Sequence, residues 1–123
     1  MKRYFLALMA IAVLAAAGCQ NNGGPKGLLD KYFGSAIRQD YATTYTCYYS
    51  AYQAKFSQAE YVKHRHEDPA TLLGYKILSL QRKGDTASAN VVLTFRKKNT
   101  KPFPVKVTEE MIKENGKWRI KVW

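Results

Sequence analysis

Two turn signals in the back half of the chain, Gly84-Asp85 and Asn115-Gly116, constrain its fold more than any other feature. Each lies between runs in which apolar residues recur at every second position, and two-residue turns of this kind join antiparallel strands. Ahead of Pro69 the period is helical. Leu28, Leu29, Tyr32, Phe33, Ala36 and Ile37 recur in pairs four apart, which places them on one face of a helix. Asp40 offers an N-cap for a second helix, on which Tyr41, Tyr45, Tyr48 and Tyr52 form a single aromatic stripe. Ser57 and Glu60 have the spacing of a capping box and predict a third, short helix running to about Arg65.

Pairing outward from each turn assigns faces. Gly84-Asp85 sets Leu80 beside Ala89 and Leu78 beside Val91, so Leu78, Leu80, Ala89, Val91, Leu93 and Phe95 share one face. Tyr75, Ile77 and Val92 fall on the other. Asn115-Gly116 sets Met111 opposite Ile120, Glu110 opposite Lys121 and Glu109 opposite Val122. The inner face is then expected to hold Val105, Val107, Met111, Trp118, Ile120 and Val122. Between the hairpins, residues 97–104 read as an exposed basic loop broken by Pro102 and Pro104. Helices followed by a four-stranded antiparallel meander predict an α+β domain, with the helices packed on one face of a curved sheet.

The front of the chain carries a different message. Lys2 and Arg3 precede an uncharged stretch over residues 4–17 and small residues at Ala16, Ala17 and Gly18, the layout of a secretory signal peptide. The stretch is shorter than the roughly 20 apolar residues that span a bilayer. Leu14-Ala15-Ala16-Ala17-Gly18-Cys19 resembles the lipobox of bacterial lipoproteins, although Leu is commoner than Ala at the place of Ala16. The resemblance implies cleavage between Gly18 and Cys19 and a diacylglycerol on the Cys19 thiol. Ordinary cleavage after Ala17 is the competing reading, since Ala15-Ala16-Ala17 also fits the small-x-small rule.

The organisation expected is therefore a signal over residues 1–18, a lipidated cysteine and flexible tether over 19–25, and one domain over 26–123. A tether of that length reaches roughly 15 Å. Gln20 after the cysteine resembles the pattern of Gram-negative lipoproteins sent to the outer membrane, which implies a domain facing the periplasm from the inner leaflet. Without Lys2 and Arg3 the chain has 18 basic and 9 acidic residues, a net charge of +9. Its densest stretches are Arg96, Lys97, Lys98 with Lys101, and Lys63-His64-Arg65-His66, a basic surface open to anionic headgroups or an envelope protein, or simply a solvated one. An exported domain is not expected to meet nucleic acid. Cys47, the other cysteine, reads as a small buried residue.

The order of elements resembles the nuclear transport factor two-like, or cystatin-like, cone fold of small bacterial lipoproteins. The local likeness lies in Leu29-Asp30-Lys31-Tyr32-Phe33, the Gln39-Asp40-Tyr41 corner, and the closing segment Lys113-Glu114-Asn115-Gly116-Lys117-Trp118-Arg119-Ile120. The resemblance implies a conical pocket between helices and sheet, used by some relatives for catalysis and by others for binding or only as core. Candidate pocket residues are Glu109, Tyr41, Tyr45, Tyr48, Phe95 and Met111. Glu109 is the one carboxylate that the register turns inward, where desolvation raises its pKa; a bulge or a sheet-edge position would return it to water. The tyrosines serve either as core or as pocket lining with hydroxyl handles. His64 and His66, two apart on a helix and flanked by Lys63 and Arg65, make a poor metal site. No Gly-rich phosphate loop, nucleophile elbow or CxxC is present. No cofactor and no metal is expected. The function expected is a lipid-anchored, non-catalytic binding or protein-interaction module, the alternative being a small isomerase-like or dehydratase-like enzyme built on Glu109.

Overall fold

The structure is a computed structural model that describes residues 23–122. The expected signal, the expected Gly18–Cys19 cleavage point and Cys19, the expected lipidation site, lie outside the described residues. Four helices, α1 (Gly24–Ile37), α2 (Tyr41–Thr46), α3 (Ser50–Lys55) and α4 (Gln58–Glu67), precede four strands, β1 (Ala70–Lys83), β2 (Thr86–Lys97), β3 (Phe103–Glu114) and β4 (Lys117–Lys121). The strands form one antiparallel sheet in the order β1-β2-β3-β4. No helix of the described residues is long and apolar enough to cross a membrane.

Helix α1 starts earlier than expected, so Gly24 and Pro25 belong to the domain rather than to a tether. Pro25 stands in the first turn, where its missing N–H is not needed. Leu28, Leu29, Phe33 and Ala36 are buried along the predicted face. Gln39, in the left-handed region at φ 60°, turns the chain. The Asp40 carboxylate then accepts from the Thr43 N–H and hydroxyl and caps α2. A buried 2.6 Å hydroxyl pair, Ser35 Oγ and Thr44 Oγ1, ties the two helices together.

The single helix expected from Tyr41 through Tyr52 does not form. It breaks at Cys47, Tyr48 and Tyr49, which reach the edge of β4: Ile120 N–H donates to the Cys47 carbonyl (2.7 Å) and Tyr49 N–H to the Ile120 carbonyl (2.8 Å). The segment is rich in Thr and Tyr, which lose more in a helix than in an extended strand. Pairing also covers an otherwise bare sheet edge. Helix α3 restarts where the Glu114 carboxylate accepts from Ser50 N–H (3.0 Å) and Oγ (2.9 Å).

Helix α4 opens on the predicted capping box, with Ser57 Oγ accepting from Glu60 N–H at 3.2 Å. Ser57→Ala removes that acceptor, and urea unfolding should show a loss of about 1 kcal/mol.

Both hairpin turns form as expected. Asn115 and Gly116 have φ of 50° and 79°, the type I′ requirement, and Gly84 has φ 60°. Glu110 faces Lys121 and Met111 faces Ile120. Val122 lies beyond β4, so it does not join the ladder opposite Glu109. Phe103 and Pro104, expected in the loop, open β3. Strand β4 pairs only with residues 110–114 there, which leaves an edge at the start of β3 that tolerates proline.

The face assignment of β1 needs correction. Leu80 pairs with Ala89 as expected, but irregularities at Leu73 and Leu78 shift the register. Ile77 therefore meets Val91 and Tyr75 meets Leu93 on the inner side, while Leu78 is 48% exposed. Each bulge inserts one residue and reverses the alternation beyond it. The core joins the buried face of α1 to Ala87, Ala89, Val91, Leu93, Met111 and Ile120.

Candidate functional site

Glu109 lies on the inner face of β3 between Val107 and Met111, opposite Ala89. The alternation of β3 turns it inward, and no bulge interrupts the β2–β3 register to turn it back. Its side chain is half-buried, and among the described residues its carboxyl has no hydrogen bond or ion pair. Desolvation pushes its pKa up to about 7. At neutral pH this carboxyl is therefore poised between its two protonation states.

Three phenols from three parts of the chain converge, and one of them, Tyr32, feels the Glu109 charge. Tyr32 comes from α1, Tyr48 from the break that pairs with β4, and Tyr61 from α4. The Tyr32 and Tyr48 hydroxyls lie 2.8 Å apart, and those of Tyr48 and Tyr61 lie 3.4 Å apart. The rings of Tyr32 and Tyr61 meet Tyr48 edge-on, and Tyr52 stacks on it at 4.3 Å. Burial pushes all three phenols above their usual range, and the charge of Glu109 adds to the rise at Tyr32. Three hydroxyls joined by two bonds keep one proton to donate elsewhere.

Arg65 of α4 borders the cluster. Its charge favours the ionised forms of Tyr32, Tyr52 and Tyr61, against burial that disfavours them. Its guanidinium lies 5.5 Å from the centre of the Tyr41 ring and 3.7 Å from Asp68 Oδ2, while its Nε is buried without a hydrogen-bond partner among the described residues. The arrangement combines a proton-accepting carboxyl, hydroxyl donors and an incompletely satisfied cation. Such a set suits a polar ligand or an acid–base reaction.

The other expected pocket residues are elsewhere or structural. Tyr41 packs edge-on against His66 at 4.8 Å. The Tyr45 hydroxyl donates to the Phe56 carbonyl at 2.6 Å, tying α2 to the end of α3. Phe95 stacks on Phe103 toward the far end of the sheet, and Met111 is 1% exposed in the core. Cys47 is also buried, and burial raises its thiol pKa. Tyr48 also lines a concavity of about 280 Å³ with Ser50, Gln53, Glu114, Lys117 and Arg119. No three His, Cys, Asp or Glu of the described residues are placed to hold a metal ion.

The basic loop closes at the opposite end of the sheet from Gly24. Gly24 approaches Arg82 and Trp118, at the end where both hairpins turn. The twelve residues of β2 separate that end from Lys98 by roughly 40 Å. Asn99 at φ 64°, with Thr100 N–H and Oγ1 donating to the Lys97 carbonyl, shapes the loop.

No family model matches the chain, and no curated protein matches it. Solved structures share its fold. A SEC-C motif containing protein from Rhodopseudomonas palustris superposes with a TM-score of 0.69 at 13% identity, over 80% of this chain and 76% of its own. A proposed NTF2-like transpeptidase from Campylobacter jejuni gives 0.58 at 13% identity, over 82% of this chain and 100% of its own. A SEC-C motif containing protein from Psychrobacter arcticus gives 0.65 at 9% identity, over 86% of this chain and 65% of its own. The architecture is thus α+β, helices on a curved four-stranded antiparallel sheet, consistent with the NTF2-like cone.

Proposed function

We propose that the chain is a lipid-anchored module of the bacterial cell envelope that binds a small polar ligand or partner group at Glu109 and the tyrosine hydroxyls, without catalysis. The observation that carries the reading is the Glu109 carboxyl, unpaired among the described residues. A half-buried acid without a protein partner gains most from a ligand that supplies one. Donation from a ligand to the carboxylate would return the Glu109 pKa toward the ordinary range and release a proton on binding. Recovery of the protein from its own envelope under native conditions, with mass spectrometry of co-purifying molecules, tests this. A bound molecule retained by the parent chain and lost from Glu109→Ala supports the site, and equal retention contradicts it.

The anchor rests on the sequence Leu14-Ala15-Ala16-Ala17-Gly18-Cys19. Two or three acyl chains on one residue, at about 0.8 kcal/mol per buried methylene, hold a protein on a bilayer where one chain does so marginally. Cys19→Ala should move the protein from the membrane to the soluble fraction of the envelope; retention in the membrane contradicts lipidation. Gln20 supports placement in the inner leaflet of the outer membrane, with the domain facing the periplasm.

The second reading, an isomerase-like or dehydratase-like enzyme, draws on the same carboxyl. A group with a pKa of about 7 suits proton transfer at neutral pH.

A further inference from the structure

The outer face of the sheet is broad and open to solvent. Its central row is Lys76, Val92 and Lys106 across β1, β2 and β3, with both lysines exposed. The next row is a hydrogen-bonded ladder: Thr108 Oγ1 donates to Asn90 Oδ1 and Asn90 Nδ2 donates to Ser79 Oγ, each at 3.0 Å. That direction of donation leaves the Ser79 hydroxyl proton free. Leu78, at the second bulge, forms a wall beside these groups. With Ser79, Asn90, Lys106 and Thr108 it lines a groove of about 380 Å³.

Charge at the centre of this face is positive. Arg96 stands on it beyond the central row, while Glu110 brings a negative charge opposite Lys121. Neither Lys76 nor Lys106 forms an ion pair among the described residues. The exposed leucine is equally specific to the bulge, because unbroken alternation would have turned Leu78 to the core.

We propose that this outer face docks flat on an anionic phospholipid bilayer, with a headgroup phosphate in the groove at Lys106 and Ser79 and with Leu78 entering the interface. Lysine and a free hydroxyl proton are donors to phosphate oxygens, and an apolar side chain beside them suits the start of the acyl region. A second copy of the chain is the poorer occupant, since a two-fold contact sets these lysines against one another. The proposal takes proximity to the bilayer from the anchor reading. Three residues lie between Cys19 and Gly23, so the leash, four residue steps long, reaches roughly 15 Å even when extended. A sheet lying flat also brings the margin with Arg96, Lys97 and Lys98 to the headgroups.

The test is an amine footprint of the full lipidated chain on vesicles of phosphatidylcholine alone or containing phosphatidylglycerol. An impermeant amine-reactive label is read by mass spectrometry at Lys76 and Lys106, with the exposed helix lysines Lys31 and Lys55 as internal controls. Phosphatidylglycerol should slow labelling of Lys76 and Lys106 about tenfold, with no change at the controls. High salt should restore labelling. Leu78→Glu should abolish protection while the chain still floats with the vesicles. Equal labelling on both vesicle types, or equal protection on both, overturns the proposal. A chain that does not float with neutral vesicles contradicts the anchor. The footprint with phosphatidylglycerol vesicles then still decides the face, protection supporting it and its absence overturning it.

Discussion

Ile120→Ala should destabilise the domain by about 3–4 kcal/mol, lowering the thermal midpoint by on the order of 15–20 °C. Ile120 is 1% exposed and faces Met111 across the second hairpin. Its backbone also receives and makes the bonds to Cys47 and Tyr49 that break the second predicted helix. The cavity left by alanine would open where sheet, bridge and helices meet, with little freedom to collapse. Ile120→Val removes one methyl and should cost about 1 kcal/mol. Urea denaturation of both variants checks the account. An alanine variant no worse than the valine variant would show that the bridge segment does not pack as described.

Glu109→Gln should stabilise the protein at pH 8 and not at pH 4. The folded-state pKa of Glu109 is about 7, against an ordinary 4.5. An acid whose pKa is raised on folding contributes stability that is fully present below the unfolded value and is lost as pH rises through the folded one. The loss runs from about pH 4.5 to about pH 7 and is complete above that. The shift corresponds to about 3 kcal/mol at full burial; partial exposure reduces this to about 2 kcal/mol. Glutamine keeps the shape without the charge, so its advantage should appear across the same window. Thermal midpoints at pH 4, 6 and 8 check the sign. A variant advantage that does not change with pH would place Glu109 in water.

The elements with strong local chemistry were legible in the sequence. Asn115-Gly116 and the Ser57–Glu60 box specify their conformations within four residues, and the apolar spacing of α1 gives its buried face directly. The inward turn of Glu109 followed from counting outward from Asn115-Gly116, because β3 has no bulge in its pairing. The site as a whole was less legible. Tyr48 meets Tyr32 and Tyr61 only because the helix breaks to pair with β4, a tertiary contact that local propensity does not encode. Arg65 reads in the sequence only as a charge between two histidines, and its burial depends on the same packing. The bulge at Leu78 is not legible in the sequence for a related reason. Its flanking residues alternate well enough for an unbroken strand, and only packing of Tyr75 and Ile77 against the core selects the shifted register.

The claim that Glu109 is an unpartnered, ligand-ready acid in the cone is tested most directly by titrating its side-chain carboxyl carbon by NMR in the folded protein. The account predicts a midpoint near pH 7, falling toward the ordinary range when ligand is bound. A midpoint of about 4.5 in the free protein, the ordinary value for a solvated glutamate, would contradict it.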